Sequence, residues 1–242
     1  MLITRCVLTL HDSLFFATRE MGTLYETERY LHNYALSYAL FNDSVIRVPY
    51  FCASYRPRYA DELELLNQRG IYVTPARPLQ WSYLLVTWKM GQVTYYRRPE
   101  RFGEGGGHNY PVNYGRAKEL APESVFEFFI LSRERVTLPR WIRLGKWASK
   151  AIVETQEMRE MKEMEGEFIA ACLLNPLDVP TSPIVYDLIS MPPVSLIHNA
   201  KMQGAHYELD DGRIKIPAGM KYTFPQAETH TQEKPKRKRK AT

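Results

Sequence analysis

The sequence predicts an α+β domain with a mainly antiparallel sheet and helices on one side. Three features predict it: an alternating apolar segment at residues 2–10, helical periodicity over 24–41, and a hairpin signal at 207–216. The elements run strand, helix, strands, loop, strand, helix, strands. A ferredoxin-like core with inserted hairpins fits this order, and no internal repeat is visible.

The first two elements have clear local patterns. Residues 2–10 place Leu2, Cys6 and Leu10 on one face of a strand and alternate them with residues for the other face. Thr23 and Glu26 fit a capping box, in which the hydroxyl and the carboxylate satisfy the free N–H groups of a helix start. The apolar spacing that follows predicts an amphipathic helix over 24–41.

The centre of the chain predicts further strands. Residues 79–88 and 92–97 are expected to pair across a turn at Met90–Gln92, and 125–132 reads as an apolar strand. Residues 103–116 are rich in Gly and Asn and are expected to form a long loop. Apolar residues at helical spacing predict a long helix over 144–173 with an acidic outer face.

The C-terminal part contains a hairpin and a tail. Asp210, Asp211 and Gly212 lie between two apolar segments, which is a strong turn signal. Residues 225–242 are polar, end in a basic run, and are expected to be disordered. We therefore expect one folded domain with insertions over 1–224 and a disordered basic tail over 225–242. A nuclear localisation signal is the alternative interpretation of the basic run.

Composition excludes several classes of protein. No apolar segment is long enough to span a bilayer, and no signal peptide is recognisable, so we expect a cytoplasmic protein. The three cysteines are far apart and odd in number, which argues against a disulfide framework. No motif of the common hydrolases, nucleotide-binding proteins or zinc enzymes is present, and no cofactor or metal is expected.

The distribution of charge predicts a local nucleic-acid surface. The chain carries 32 basic and 27 acidic residues, and the segment Lys234–Lys240 holds six of the basic ones. The body is then nearly neutral, with 26 basic residues against 27 acidic ones. Two segments nevertheless combine arginines with few acids: 47–59 also contains several tyrosines, and 133–150 has a local charge of +5.

A third candidate is the Gly-rich segment around 103–107. Glycines allow backbone N–H groups to approach a phosphate, and aromatic side chains can stack on unpaired bases. A flexible surface loop is the alternative. Over the three segments and the N-terminal region, the candidate RNA-binding residues are Arg19, Arg47, Arg56, Arg58, Arg97, Arg98, Arg101, Gly105, Gly106, Gly107, His108, Asn109, Tyr110, Tyr114, Arg116, Arg133 and Arg135.

The N-terminal residues resemble a known family. The segments Leu2–Cys6, Leu10–Asp12, Phe16–Gly22, Tyr25–Thr27 and His32–Tyr38 are similar to the handle-binding subunit of type I-D CRISPR effector complexes. This is the fifth Cas family, within the repeat-associated (RAMP) superfamily. The similarity is densest over 2–41 and fades past about 217.

The resemblance implies an RRM-like (RAMP) core with a protruding hairpin or thumb. It also implies that the chain grips the 5′ handle of a CRISPR RNA and contacts the backbone and large subunits of a DNA-targeting Cascade, without catalysis. The resemblance leaves open whether the chain contacts target DNA. The alternative is a metal-independent endoribonuclease that processes precursor CRISPR RNA, with His11 or His108 as acid/base and Tyr110 or a lysine assisting.

Overall fold

The structure is a computed structural model that describes residues 1–49, 56–89, 114–158 and 161–224. The strands are β1 Leu2–Leu10, β2 Arg19–Met21, β3 Leu24–Glu26, β4 Ile71–Val73, β5 Arg77–Gln80, β6 Tyr83–Lys89, β7 Tyr114–Leu120, β8 Val125–Ser132, β9 Trp141–Leu144, β10 Ser149–Met158, β11 Met161–Ile169, β12 Val185–Ile189, β13 Leu196–Leu209 and β14 Ile214–Pro217. The helices are α1 Asn33–Phe41 and α2 Tyr59–Gln68, with a π-helical segment Asn42–Ile46 after α1. The predicted strand 92–97, most of the Gly-rich segment and the tail 225–242 lie outside the described residues.

The largest sheet is built around β1. Its order is β4-β8-β1-β10-β9, with β5 also paired to β8, and each of these pairs is antiparallel. The predicted alternation of β1 is confirmed, because Cys6, Leu8 and Leu10 are fully buried while the residues between them are half-buried. The predicted strand 125–132 is β8, and its apolar side chains are buried on both faces.

Two smaller sheets complete the described part of the chain. One has the order β11-β13-β12 with β14 paired to β13, and the other has the order β2-β3-β7-β6. The predicted C-terminal hairpin is confirmed as β13–β14. Its turn uses the left-handed conformation at Asp210, Asp211 and Gly212, as the sequence signal requires.

The predicted helix over 24–41 is wrong in its first half. Residues 24–26 form β3, and α1 begins only at Asn33, with the His32 side chain accepting a hydrogen bond from the Tyr34 N–H. The capping box at Thr23 and Glu26 does not form, because this segment pairs with β7 in a parallel ladder. Long-range pairing of the backbone outweighs a local capping preference of about 1 kcal/mol.

The predicted helix over 144–173 is also wrong. This region contains the end of β9, all of β10 and all of β11. Ser149, Ala151 and Val153 are buried while Lys150 is exposed, which is the period of a strand. The spacing of the apolar residues and glutamates in this region matches helical periodicity. Ile152, Val153 and Thr155 nevertheless favour a strand, because they are β-branched.

The α+β prediction is therefore confirmed only in part. The described residues are mostly strand, with antiparallel curled sheets and few helices. The predicted strand 79–88 is interrupted at residues 81–82, where β5 ends and β6 begins, and the predicted loop 103–116 ends earlier, because β7 begins at Tyr114.

A buried carboxylate joins the parts of the core. Asp178 accepts hydrogen bonds from the Asn33 side chain (2.9 Å), from the Tyr72 hydroxyl (3.0 Å) and from the backbone N–H of Thr223 (3.0 Å). Tyr222 lies beside this set, and its hydroxyl pairs with Ser37 and accepts the N–H of Val73. We call these residues the Asp178 cluster. It fastens the C-terminal segment to α1 and β4.

A tight turn joins β9 to β10. Gly145 has φ +72°, and a Cβ there would lie 2.6 Å from the Leu14 Cδ1 and 2.7 Å from the Phe15 carbonyl oxygen. Ala148 is also left-handed. The Lys146 N–H donates to the Phe15 carbonyl at 2.8 Å, so residues 145–148, the β9–β10 turn, are held against the segment that follows β1.

We predict that Asp178 makes stability depend on pH. Burial raises the pKa of its carboxyl to about 6, so the folded protein holds this proton more tightly than the unfolded chain. The stability contributed by this group is therefore present near pH 4 and is lost as pH rises through 6. Relative to Asp178→Asn, the wild type should lose up to about 3 kcal/mol between these limits. Urea unfolding of both proteins across this range measures the difference.

The exposed Asp61→Asn is the control for this experiment, because it makes the same chemical change outside the Asp178 cluster. If the free energy of unfolding of Asp178→Asn changes with pH in the same way as that of the wild type, the Asp178 cluster does not titrate in this range.

We predict that Gly145→Ala destabilises the fold more than Gly22→Ala. Both positions are left-handed, at φ +72° and +62°, but a Cβ at Gly22 meets nothing within 4 Å. Gly22→Ala should cost about 1–2 kcal/mol from the backbone alone. Gly145→Ala should cost about 2–4 kcal/mol, because it also displaces the Phe15 carbonyl. Thermal unfolding of the two variants compares them, and equal losses would contradict the close approach.

Candidate nucleic-acid interface

Two adjoining grooves lie beside α1. The first has a volume of about 510 Å³ and the second about 380 Å³. Both are lined by Tyr38, Ala39, Asn42 and Arg143, so they meet along one side of the helix and the strand β9. The aromatic residues that line the first groove are Phe16, Tyr30, His32, Tyr34, Tyr38 and Tyr59.

The sequence of α1 explains why the surface is concave. Tyr34, Ala35, Tyr38 and Ala39 lie on one stripe of the helix, because Tyr34 and Tyr38 are four residues apart, Ala35 and Ala39 are four apart, and Ala35 and Tyr38 are three apart. The alanines leave space between the tyrosines. Tyr59, at the start of α2, stands beside both tyrosines, with ring centroids 5.0 Å from Tyr34 and 6.1 Å from Tyr38.

Two of the groove tyrosines, Tyr34 and Tyr59, keep their hydroxyls protonated at neutral pH. Burial raises the pKa of Tyr34 to about 12, and burial followed by the nearby Glu62 raises the pKa of Tyr59. Glu62 also accepts a hydrogen bond from the Tyr38 hydroxyl and one from the Arg58 N–H. A neutral phenol is an aromatic surface that can also donate a hydrogen bond.

Cations enter the grooves from β9, β10 and the turn between them. Arg143 and Lys146 line the first groove, and Arg143 and Lys150 line the second. Arg143 is braced by a 2.9 Å hydrogen bond from its Nη1 to the Ala148 carbonyl. The Lys150 ammonium lies 4.2 Å from the centroid of the Trp141 ring.

Acidic residues are nearly excluded from this surface. Among the described residues that line the first groove, none is Asp or Glu, and Asp43 is the acid at the second. A concave surface with cations and so little negative charge attracts phosphate groups. Aromatic rings beside those cations can stack on unpaired bases.

His32 is a structural residue of the first groove. Its Nδ1 accepts the Tyr34 N–H, and its Nε2 lies 3.1 Å from the Val194 carbonyl oxygen and donates to it. Burial lowers the pKa of His32 to about 4. Both ring nitrogens are therefore occupied, and the ring is neutral at physiological pH.

Two of the three predicted basic segments meet at these grooves. Segment 47–59 contributes Val48, Pro49, Pro57 and Tyr59, and segment 133–150 contributes the turn and its cations. Of the arginines predicted to bind RNA, those that the structure describes lie outside the grooves. Arg19, Arg47, Arg56, Arg58, Arg116, Arg133 and Arg135 do not line either groove.

Some of those arginines have other partners. Arg19 pairs with Glu26, Arg58 with Asp61 and Arg135 with Glu157, and Arg133 packs against Gly70. Arg97, Arg98, Arg101, Gly105, Gly106, Gly107, His108, Asn109 and Tyr110 lie outside the described residues, as does the side chain of Tyr114.

The Gly-rich segment connects the ends of a described hairpin. β6 and β7 are antiparallel, with Lys89 opposite Tyr114, so residues 90–113 join them. Trp88 anchors this end of the pair: it stacks on Tyr25, and a Cβ at Gly115 would lie 2.4 Å from its ring. Glycine at 115 thus makes room for the indole.

Sequence reasoning missed the aromatic groove residues. Tyr34 and Tyr38 were assigned to the apolar face of a helix, where core packing and a binding surface give the same pattern. Trp141 and Trp147 were not singled out, and Trp147 fell within the predicted long helix. The alanines at 35 and 39 were the available signal, because small residues between exposed aromatics leave a cleft.

Other kinds of site find no support in the described ranges. No three His, Cys, Asp or Glu side chains converge there as in a metal site, and no helix there is long and apolar enough to cross a membrane. Cys6 and Cys172 are buried, and burial raises the pKa of each thiol to about 12, so both act as small core residues.

Two solved structures of CRISPR proteins show a weak similarity to the chain. It is similar to a chain of the type III-B Cmr-beta complex bound to cognate target RNA and AMPPnP, with 12% identity over 83% of this chain and 84% of that chain, at a TM-score of 0.43. It is also similar to a CRISPR protein from Archaeoglobus fulgidus, with 8% identity over 92% of this chain and 100% of that chain, at a TM-score of 0.35. Similarities at this level do not establish a shared fold, and no curated protein sequence matches the chain.

The family is established by the sequence profile. The profile of the type I-D CRISPR-associated protein Cas5/Csc1 matches residues 1–225, nearly the whole chain and all of the described residues. The resemblance seen in the N-terminal residues is thereby confirmed. This chain belongs to the Cas5/Csc1 family of type I-D CRISPR systems.

Proposed function

We propose that this chain binds the 5′ handle of the CRISPR RNA in the two grooves beside α1, as a subunit of a DNA-targeting type I-D effector complex. The observation that carries the proposal is the composition of the first groove: four partly exposed aromatic residues, two cations and no acid among its described lining. The four are Phe16, Tyr30, Tyr38 and Tyr59, whereas His32 and Tyr34 are buried. Single-stranded RNA ends are bound by stacking on aromatic rings and by cations on phosphates.

The charge distribution supports RNA as the ligand. A body that is close to neutral overall gains no general attraction for nucleic acid, so affinity must come from local clusters of cations. Arg143, Lys146 and Lys150 form such a cluster on one turn and its flanking strands.

The acidic part of the molecule suits protein partners. β10 and β11 carry exposed glutamates at 154, 157, 163, 165 and 167, a surface that repels phosphate. We assign this face to contacts with the backbone or large subunit of the complex.

The strand order supports a ferredoxin-like RAMP core. Strands β4-β8-β1-β10 are antiparallel, and α1 and α2 lie between β1 and β4 in the chain. A ferredoxin-like core has four antiparallel strands in this order; we treat β2–β3 and β5–β7 as insertions, and one change is required, with the short strand β9 between β8 and β10 in place of a second crossover helix. The change puts Arg143 and the β9–β10 turn beside α1.

We further propose that the chain binds RNA without cleaving it. Acid–base cleavage of RNA needs a group that can exchange a proton within reach of the 2′-hydroxyl. The histidine of the first groove, His32, has both ring nitrogens in hydrogen bonds and a pKa of about 4. His11 lies at the edge of Trp141, with ring centroids 4.8 Å apart.

We predict that Arg143→Ala and Lys146→Ala each weaken binding of an RNA that carries the repeat-derived handle. Each lost phosphate contact should reduce the salt slope of a single-stranded complex by about 0.7, which is a loss of about fivefold at 0.1 M salt. Fluorescence anisotropy between 50 and about 300 mM salt measures both quantities. Arg69→Ala, an exposed arginine that lines neither groove, is the matched control.

Unchanged binding by both groove variants would remove the grooves as the RNA site. The Gly-rich segment would then become the leading surface, and Gly106→Val, Tyr110→Ala and the double change at Arg97 and Arg98 would test it. Each of these variants should then weaken handle binding while the protein remains folded.

We predict that the purified chain leaves precursor repeat RNA intact. The measurement is gel analysis of labelled repeat RNA after prolonged incubation without divalent cations. Specific cleavage that disappears in His108→Ala would establish the endoribonuclease alternative instead.

A further inference from the structure

Trp147 lies in the β9–β10 turn, between two residues that line the first groove. Lys146 and Ala148 belong to the lining, whereas Trp147 does not and instead stacks on Phe15, in the segment that follows β1. It is 54% exposed, although such a large apolar side chain would be expected to bury more of its surface.

The indole is held on one face and along one edge. Phe15, which is buried, stacks under it with ring centroids 5.0 Å apart and planes inclined by 20°. The indole Nε1–H donates to the Glu119 Oε1 at 3.2 Å, and the Ser13 hydroxyl donates to the Oε2 of that carboxylate at 2.5 Å. Glu119 is itself 5% exposed, so the acceptor is fixed within the protein.

The backbone of the turn is equally constrained. Gly145 and Ala148 are left-handed, and the Lys146 N–H is bonded to the Phe15 carbonyl. Because Phe15 covers one face, the exposed area of Trp147 comes from the opposite face and the outer edge. The protein therefore keeps a flat aromatic surface open to solvent in a fixed orientation.

We propose that Trp147 is a stacking platform for one unpaired nucleobase of the RNA strand as it leaves the first groove over Lys146. This inference rests on the proposed function. Arg143 and Lys146 would hold the adjacent phosphates, and the fixed indole would receive the base without losing conformational entropy on binding.

A nucleobase fits this surface better than an apolar protein side chain. The one acid that contacts the indole, Glu119, is buried and already accepts two hydrogen bonds, whereas the charged residues nearest in the chain, Arg143, Lys146 and Lys150, are all basic. The first groove, which Lys146 also lines, has no acid among its described lining. Protein contacts of this kind are usually depleted in charge at their centre.

The test is an abasic scan of the handle RNA against the full-length chain. In each RNA one base is removed and the backbone is kept. For the wild type, one abasic position should weaken binding by roughly 5- to 150-fold, the value of one stacked base. The Trp147→Ala variant should bind the intact RNA more weakly by a similar factor. Removing the base at that one position should then cause no further loss of affinity in this variant. It should stay sensitive at the others.

Two variants complete the design. Trp147→Phe keeps a smaller ring on Phe15 and should recover part of the affinity and of the position-specific effect. Tyr186→Ala removes an aromatic residue of similar exposure, 46%, from the edge strand β12, which lines neither groove, and should bind as the wild type does. If Trp147→Ala does not fold, the abasic scan is carried out with Trp147→Phe instead.

Two results would overturn the inference. The first is binding of the intact RNA by Trp147→Ala as tight as that of the wild type. The second is a loss of affinity in Trp147→Ala that leaves the full abasic pattern unchanged, which would indicate a structural role. In both cases the wild type still binds RNA, so the proposed function stands. Failure of the wild type to bind the handle RNA would overturn the proposed function and this inference together.

Discussion

A carboxylate without a neighbouring cation holds the architecture together. Asp178 receives three hydrogen bonds from neutral donors, on α1, on β4 and on the C-terminal segment. Each donor would cost about 1–3 kcal/mol if it were buried without a partner, so the three elements are fixed relative to one another. The helix that carries Tyr34 and Tyr38 thereby has a defined position, and the wall of the first groove depends on it.

The buried carboxylate of the main sheet is stabilised differently, by ion pairs. Glu127, which is almost fully buried, bridges Arg5 and Arg77, and both arginines are partly exposed. The arginines can keep their outer donors in water, so the carboxylate is neutralised without burying two full cations. Arg5 and Arg77 are thus committed to the fold. Arginine content alone does not report nucleic-acid binding, because a cation can also serve to pair a buried acid.

Charge is segregated between different faces of the described residues, although the body without the basic run Lys234–Lys240 is nearly neutral, with 26 basic residues against 27 acidic ones. The grooves gather their cations from one turn and its two flanking strands, while exposed glutamates run along β10 and β11. Screening limits these fields to about 8–10 Å at physiological salt, so the two faces act independently. The β9–β10 turn lies at the boundary, which is why its geometry matters more than the net charge of the chain.

The sequence by itself determined the elements whose signal is local. The alternation of β1, the apolar strand β8, the turn at Asp210–Gly212 and the family membership could all be predicted, because neighbouring residues or a linear motif carry the information. It also identified two basic segments that reach the grooves. Tertiary structure decided the rest: β3 is a strand because β7 pairs with it, and residues 149–158 are a strand because β1 pairs with them. The choice of groove residues, with Arg143, Lys146 and the tyrosines in place of the predicted arginines, depends on which side chains converge from distant positions. Periodicity within one segment holds no information about that convergence, since it reports which face is buried and not what lies opposite.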